Sequence, residues 1–145
     1  MQFTIEPGSW TDLPAIRGLL IEAGLPVEDL TASPVQFWVA RTGGALAGAI
    51  GLEPYGDTGL LRSLVVAPFV RGTGVGKALV AALEAEAPRS GVSGLVLLTE
   101  TAAAFFERNG YAVTERKAVG GMVSQSAQFR TCCPASATCM TKTLT

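Results

Sequence analysis

Three glycines within five positions form the part of the sequence best suited to hold an anion. Gly72, Gly74 and Gly76 lie in the stretch VRGTGVGKAL, between a β-rich run ending at Ala67 and a run with helical periodicity. A helix N-terminus presents about four N–H groups without intrahelical acceptors and carries a partial positive charge. Glycines let an anion approach such groups closely. The stretch therefore favours a phosphate-type ligand.

Two common phosphate-binding motifs do not fit this loop. A dinucleotide-binding G-x-G-x-x-G pattern starting at Gly72 needs glycine at position 77, where the chain has lysine. A P-loop ending at Gly76-Lys77 needs glycine at position 71 and serine or threonine at position 78. The chain has Arg71 and Ala78 there. The pattern that fits is R-x-x-G-x-G, from Arg71 to Gly76.

The absence of histidine limits the chemistry available to the chain. It excludes Ser-His-Asp and Cys-His nucleophile systems and removes the commonest zinc ligand. Proton transfer is left to carboxylates, tyrosine, cysteine, lysine or water. We predict no metal site.

Length and composition predict one cytoplasmic domain over residues 1–145. The 15.0 kDa chain is 48% hydrophobic and carries a formal net charge of −1. No basic tract suggests nucleic acid as a partner, and no apolar run is long enough to cross a membrane. The first ten residues lack the pattern of a signal peptide, and three cysteines argue against a secreted disulfide framework.

Apolar periodicity predicts the element order β-α-(α)-β-β-β-α-β-α-β-β. The first helix begins near a capping box of Ser9 and Asp12 and ends at Gly24, and VEDL adds the bracketed turn. A later short helix takes Thr101 as its N-cap. Consecutive strands are predicted for VQFWVAR, ALAGAIGLEPY and LLRSLVVA. The order predicts an α/β (α+β) domain with a mixed sheet and helices on both faces.

In this context the loop resembles that of the GNAT acetyltransferase superfamily. The order is the strand LLRSLVVAP, the glycine loop, the helix KALVAALEAEA, the strand GLVLLT and then AAAFFERNGY. The last piece is similar to a second GNAT signature, A-x-x-F-[YF]-E-x-x-G-[FY]. The resemblance covers nearly the whole chain. It implies the GNAT acyl-CoA N-acyltransferase fold, acetyl-CoA as cosubstrate and acetyl transfer to the amine of a small molecule; a homodimer is a possible assembly.

The resemblance also implies a binding site for acetyl-CoA. The sheet would open where LLRSLVVA and GLVLLT part, with main-chain groups of the former along the pantetheine and acetyl group, and N–H groups of the loop at the pyrophosphate. The implied residues are Leu64, Val65, Val66, Arg71, Gly72, Thr73, Gly74, Val75, Gly76 and Lys77. For the first three, the plainer interpretation is core packing. Both interpretations can hold together, because the ligand would use the backbone while the side chains pack.

Two glutamates are candidate proton acceptors for the attacking amine. Glu53 and Glu100 each follow a strand and are expected near the opening of the sheet. Glu53 is favoured, although either residue could be a solvated surface glutamate. Many GNAT enzymes use a tyrosine at the position of Phe106 to protonate the leaving thiolate. Tyr111 or Tyr55 could replace it, or the thiolate could leave without an acid.

The chain shows a closer resemblance to small arsenic-resistance N-acetyltransferases. It is carried by GLEPYGDTGLLRSLVVAP, LLTETAAAFFERNGY and CPASATCM. An amino-bearing organoarsenical is then one possible acceptor, with Arg41 or Arg62 pairing with an oxyanion; a surface charge is the plainer interpretation of each arginine.

Two other functions stay open at this stage. One is a GNAT module that binds CoA without catalysis. The other is a cysteine-based arsenical-binding protein, since Cys132, Cys133 and Cys139 could ligate a soft trivalent ion. The plainer interpretation is that these cysteines are small buried residues.

Overall fold

A seven-stranded mixed sheet forms the centre of the described part of this computed structural model, which covers residues 2–25, 27, 35–119, 126, 129 and 136–144. The strands are β1 (Thr4–Pro7), β2 (Gln36–Thr42), β3 (Ala45–Tyr55), β4 (Thr58–Val66), β5 (Gly94–Thr99), β6 (Ala112–Thr114) and β7 (Thr138–Thr143). The helices are α1 (Leu13–Glu22), α2 (Val75–Glu86) and α3 (Ala103–Arg108). Short 3-10 turns lie at Trp10–Asp12, Pro68–Val70, Ala87–Ser90 and Arg116–Ala118.

The spatial order of the strands is β1-β2-β3-β4-β5-β7-β6. The first four strands form an antiparallel meander, and α2 crosses over to bring β5 parallel to β4. β7 then inserts antiparallel between β5 and β6. The predicted mixed sheet and element order are confirmed, apart from the extra turn at residues 27–30, which lies outside the described residues except for Val27.

Helices cover both faces of the sheet, as predicted. Alternation along a strand sends successive side chains to opposite faces. On β2, Val39 packs with Ile16 and Leu20 of α1, whereas its neighbours Trp38 and Ala40 join the larger core beneath α2 and α3.

The first helix begins as predicted and the third does not. The Ser9 N–H donates to the Asp12 carboxylate at 2.9 Å, as in a capping box. At the start of α3, however, the Ala102 N–H donates to Oγ1 of Thr99 at 3.0 Å. The prediction of Thr101 as the N-cap is therefore wrong: the hydroxyl that satisfies this N–H comes from the end of β5.

Gly48 on β3 allows α2 to lie close to the sheet. A Cβ at this position would lie 2.8 Å from the Val65 carbonyl oxygen and 3.1 Å from Cδ1 of Leu79. The first of these is a backbone atom in the neighbouring strand, so it cannot move aside cheaply. Gly18, exposed in the middle of α1, has no such neighbours within 4 Å.

We predict that Gly48→Ala lowers the free energy of unfolding by about 1–3 kcal/mol, because the added methyl overpacks the contact between β3 and β4. Gly18→Ala is the matched control and should raise it by roughly 0.5–1 kcal/mol, because alanine is the better helix former. Urea denaturation followed by circular dichroism measures both. Equal stability of the two variants would contradict this account of Gly48.

Candidate functional site

The sheet opens between β4 and β5. These parallel strands pair only from Thr58 to Leu60 and from Gly94 to Val96. Beyond Leu60, β4 stays paired with β3 as far as Val66, and β5 stays paired with β7 as far as Thr99. The predicted parting of the two strands is confirmed, and within the described residues the main-chain groups on the β5 side of β4 have no strand to pair with after Leu60.

A β-bulge lies where β4 turns away. Ala49 pairs with Val65, but Gly51 pairs with Arg62, so β4 contains one more residue than β3 across this step. Within the bulge Ser63 has φ +59°, which makes it the one non-glycine residue with a positive φ among the described residues. A bulge bends its strand and increases the local twist. The end of β4 is therefore carried away from β5.

A cavity of about 440 Å³ occupies the opening. Its walls come from both strands, from the segment after α1, and from the start of α3. Of the sequence-predicted residues it is lined by Leu64, Val65, Val66, Arg71, Glu100, Arg62 and Phe106. Arg71 is the first residue of the glycine loop, so the cavity meets that loop at one end.

The glycine loop presents a row of N–H groups without acceptors. Gly72 and Gly74 have φ of +82° and +88°, a conformation that favours glycine, and a Cβ at either would meet no atom within 4 Å. The N–H groups from Gly74 to Lys77 donate to no acceptor in the described part of the chain. The next N–H along the chain, that of Ala78, donates to the Gly74 carbonyl at 3.0 Å. This is the arrangement that an anion stabilises.

Other loop residues hold the loop in shape. The Thr73 hydroxyl donates to the Val70 carbonyl at 2.5 Å. The Val75 side chain is buried in the core under α2, so only its main chain faces the loop. Arg71 and Lys77 are exposed, and Nε of Arg71 lies 3.4 Å from the carbonyl oxygen of Val66.

The two candidate glutamates have opposite environments. Glu100 is exposed and lies on the cavity wall, as predicted. Glu53 is fully buried and does not itself line the cavity, although its partner Arg62 does. Arg62 donates through Nη1 to Oε2 of Glu53 at 2.7 Å, and the Tyr55 hydroxyl donates to Oε1. Such a carboxylate is poorly placed to reach a substrate proton.

The partnership of Glu53 with Arg62 was missed from the sequence, although a signal for it exists. The turn at Gly56 pairs Tyr55 with Thr58, and that register sets Glu53 opposite Leu60. Residues two apart on neighbouring strands share a face, so Arg62 is the diagonal neighbour of Glu53. Extending the strand register from this turn would have predicted the pairing of Glu53 with Arg62.

Neither tyrosine proposed as a substitute acid lines the cavity. Tyr111 donates to Oε2 of Glu84 at 2.9 Å, and burial, reinforced by the negative charge of Glu84, raises the pKa of Tyr111 well above its usual range. Phe106 lies on the cavity wall and packs edge-on against Tyr111 with ring centroids 5.4 Å apart. Phe106, the aromatic side chain on the cavity wall, therefore has no hydroxyl that could donate a proton.

Arg41 is also away from the cavity. It pairs with Asp12 at 2.6 Å and Glu6 at 2.9 Å, at the β1 side of the sheet. Its hydrogen bond holds the pKa of Asp12 below the usual value. Arg41 is therefore not placed to meet a substrate oxyanion in this cleft. Arg62 lines the cavity, but its side chain is fully shielded from solvent and is bonded to Glu53 and Ser63.

Of the three cysteines only Cys139 falls within the described residues. It packs on β7 against Leu60 and Val96, and burial raises the pKa of its thiol. Cys132 and Cys133 lie outside the described residues. In the described ranges no three His, Cys, Asp or Glu side chains are grouped to hold a metal ion, and no helix there is long and apolar enough to traverse a bilayer.

We predict that Cys139 reacts slowly with a thiol reagent in the native protein. In a variant with Cys132 and Cys133 replaced by serine, modification by a disulfide reagent at pH 8 should be at least about tenfold slower than in denaturant, because the thiolate is the reactive form and burial opposes it. Absorbance of the released thiol gives both rates. Equal rates would show that Cys139 is accessible.

Comparison with known proteins finds a matching family and a similar protein. The family described as Acetyltransferase (GNAT) domain matches residues 33–113, which include the glycine loop and α3. The IAA acetyltransferase of Azospirillum brasilense is 32% identical over 94 residues. That match covers 61% of this chain and 61% of that protein, so the chain spans less than two thirds of its curated relative.

Solved structures show the same fold. N-acetylglutamate synthase from Neisseria gonorrhoeae, complexed with coenzyme A and N-acetyl-glutamate, gives a TM-score of 0.84 at 21% identity and covers 100% of this chain and 36% of that one. Rv2747 from Mycobacterium tuberculosis, in complex with CoA and NLQ, gives 0.82 at 23% identity and covers 98% and 99%. Since the family match spans more than half of the chain and includes the opened sheet and the loop, the chain belongs to the GNAT acetyltransferase domain family.

Proposed function

We propose that this chain is an acetyl-CoA-dependent N-acetyltransferase that acts on the amine of a small molecule. The observation that supports this most directly is the continuity of two features. The opened edge of β4 lines a cavity, and the same cavity reaches Arg71 at the start of a loop whose N–H groups lack acceptors. Acetyl-CoA has both kinds of group that such a site would hold. Its pantetheine arm, which ends in the thioester, suits the cavity, and its pyrophosphate suits the N–H groups.

The residues of the cleft fit acetyl-CoA. The four N–H groups from Gly74 to Lys77 would hold the pyrophosphate, and the positive end of α2 would favour its charge. The Val65 side chain packs under α1 and those of Leu64 and Val66 pack on the opposite core, so these residues would use main-chain groups to hold the pantetheine. When bound, acetyl-CoA supplies an acetyl group activated as a thioester.

Glu100 is the proposed proton acceptor. An amine is mostly protonated at pH 7 and must lose a proton before it can attack. Glu100 is an exposed carboxylate on the cavity wall and can take that proton directly or through water. A bond from the amine nitrogen to the acetyl carbon then replaces the carbon–sulfur bond. Phe106 can donate no proton, so the thiolate would leave unaided and take its proton from water.

The size of the cavity supports a small acceptor. About 440 Å³ must hold both the end of the pantetheine and the acceptor, and residues 23–25 close one side. We propose an amino-acid-like acceptor, with an amino-bearing organoarsenical as one option. A turnover screen over amino acids, their phosphinic and arsenical analogues and aminoglycosides tests this. Turnover of aminoglycosides alone would contradict it.

A non-catalytic CoA-binding module is the second candidate, and the observation that favours it is Phe106 at the cavity wall. It predicts the same acetyl-CoA affinity without turnover of any amine in the screen. Release of free thiol therefore separates the two functions.

We predict that Gly74→Val weakens acetyl-CoA binding by more than about tenfold, because valine opposes the φ of +88° and places its side chain in the open space of the loop. Arg71→Ala should cause a smaller loss, because that side chain is exposed. Gly76→Ala is the matched control: its Cβ would only touch Phe105 and Val66 at 3.6 Å, and affinity should stay near wild type. Calorimetric titration measures all three, with thermal unfolding as the check of folding. Wild-type affinity in Gly74→Val would place the site elsewhere.

We predict that Glu100→Gln binds acetyl-CoA like the wild type but loses about 10²- to 10⁴-fold in turnover at pH 7, the usual contribution of general-base catalysis. Part of the loss should return as the pH is raised towards 9, because more of the amine is then neutral. Glu107→Gln, an exposed change on α3, is the control and should keep full turnover. If turnover of Glu100→Gln matched that control, the proton would go to water or to the substrate itself.

A further inference from the structure

A buried ion pair lies next to the β4 bulge. The side chains of Arg62 and Glu53 are both fully shielded from solvent and meet at 2.7 Å, and Tyr55 donates to the other carboxylate oxygen. Taking two charges out of water costs several kcal/mol per ion, and apolar residues of similar volume often give equal or greater stability. Stability alone is therefore a weak reason for this pair.

The same arginine reaches into the bulge. Nε of Arg62 donates to Oγ of Ser63 at 2.9 Å. Ser63 has φ +59°, a conformation that is strained for a non-glycine residue. The hydrogen bond is made in that conformation and so offsets part of the cost. Because the guanidinium is rigid and held by Glu53, its Nε is fixed in space as well.

Gly51 on the partner strand lies opposite this arginine. A Cβ there would lie 2.9 Å from Cγ1 of Val35 and 3.1 Å from Cε1 of Phe37, but 3.4 Å from Cγ of Arg62, close to an ordinary contact distance. The glycine therefore makes room chiefly for Val35 and Phe37. Hydrogen bonding and charge both act on the bulge through Arg62.

We propose that Glu53 and Arg62 are positioning residues that hold Ser63 in its left-handed conformation and thereby fix the main chain of Leu64–Val66 along the cleft. Glu53 acts through Arg62 and does not accept the substrate proton. The catalytic consequence rests on the proposed function, since it is the acetyl-CoA thioester that this main chain would hold; the conformational part does not.

The conformational part is tested by NMR chemical shifts of residues 61–66, which report the backbone conformation of Ser63. Glu53→Gln should shift these resonances away from their wild-type values. A Glu53→Met/Arg62→Met double variant replaces the ion pair with apolar side chains, so that the protein can still fold. It should unfold within a few degrees of wild type and show the same loss of the left-handed conformation. Wild-type shifts in the folded double variant would overturn the proposal.

The catalytic consequence is tested by rescue. Glu53→Gln should weaken acetyl-CoA binding about tenfold or more, with a turnover loss that is constant from pH 6 to 9. Adding Ser63→Gly should restore most of the affinity, because glycine adopts a positive φ without the clamp. Normal acetyl-CoA affinity with turnover that recovers at high pH would instead make Glu53 a proton acceptor and overturn the proposal. If wild type bound no acetyl-CoA, the proposed function would fail, while the chemical shifts would still decide the conformational part.

Discussion

The extra residue in β4 is the constraint on which the cleft depends. An antiparallel partner can accept a bulge and continue, and β3 does so from Gly51 to Gly48. A parallel partner further along the sheet cannot follow the bend, and β5 stops pairing after Val96. Buried main-chain polar groups need partners. An opened strand edge inside a domain is therefore a site prepared for a ligand or for water.

The connection from β4 to β5 adds the second half of the site. Two parallel neighbours need a crossover, and here it runs through the glycine loop and α2. The helix begins at the end of β4 where the strands have separated, so its positive N-terminus lies beside the opening. Ligands in α/β sheets gather at the carboxyl ends of strands for this reason. The glycine loop lies beside the cleft because one crossover connects the two strands that border it.

The sequence predicted those features that depend on local patterns. Apolar alternation and periodicity gave the strands and helices, and the glycines of the loop marked two positions with positive φ. What it did not reveal depends on register and burial. Glu53 is paired with Arg62, nine residues away, inside the sheet. The bulge lies at Ser63, a residue type that carries no strong signal for a positive φ. Thr99 in place of Thr101 at the start of α3 likewise depends on where β5 ends.

Glu53 and Glu100 show why position at a strand end does not decide chemistry. Both were candidates for one role, but the Glu53 carboxylate is shielded from solvent and already accepts hydrogen bonds from Arg62 and Tyr55. Removing one partner of a buried ion pair is strongly destabilising, because it leaves an uncompensated buried charge. Glu100, in contrast, is exposed on the cavity wall. The burial that shields Glu53 from solvent is the same property that suits it to fix Arg62, and through Arg62 the strand on which the acetyl group would lie.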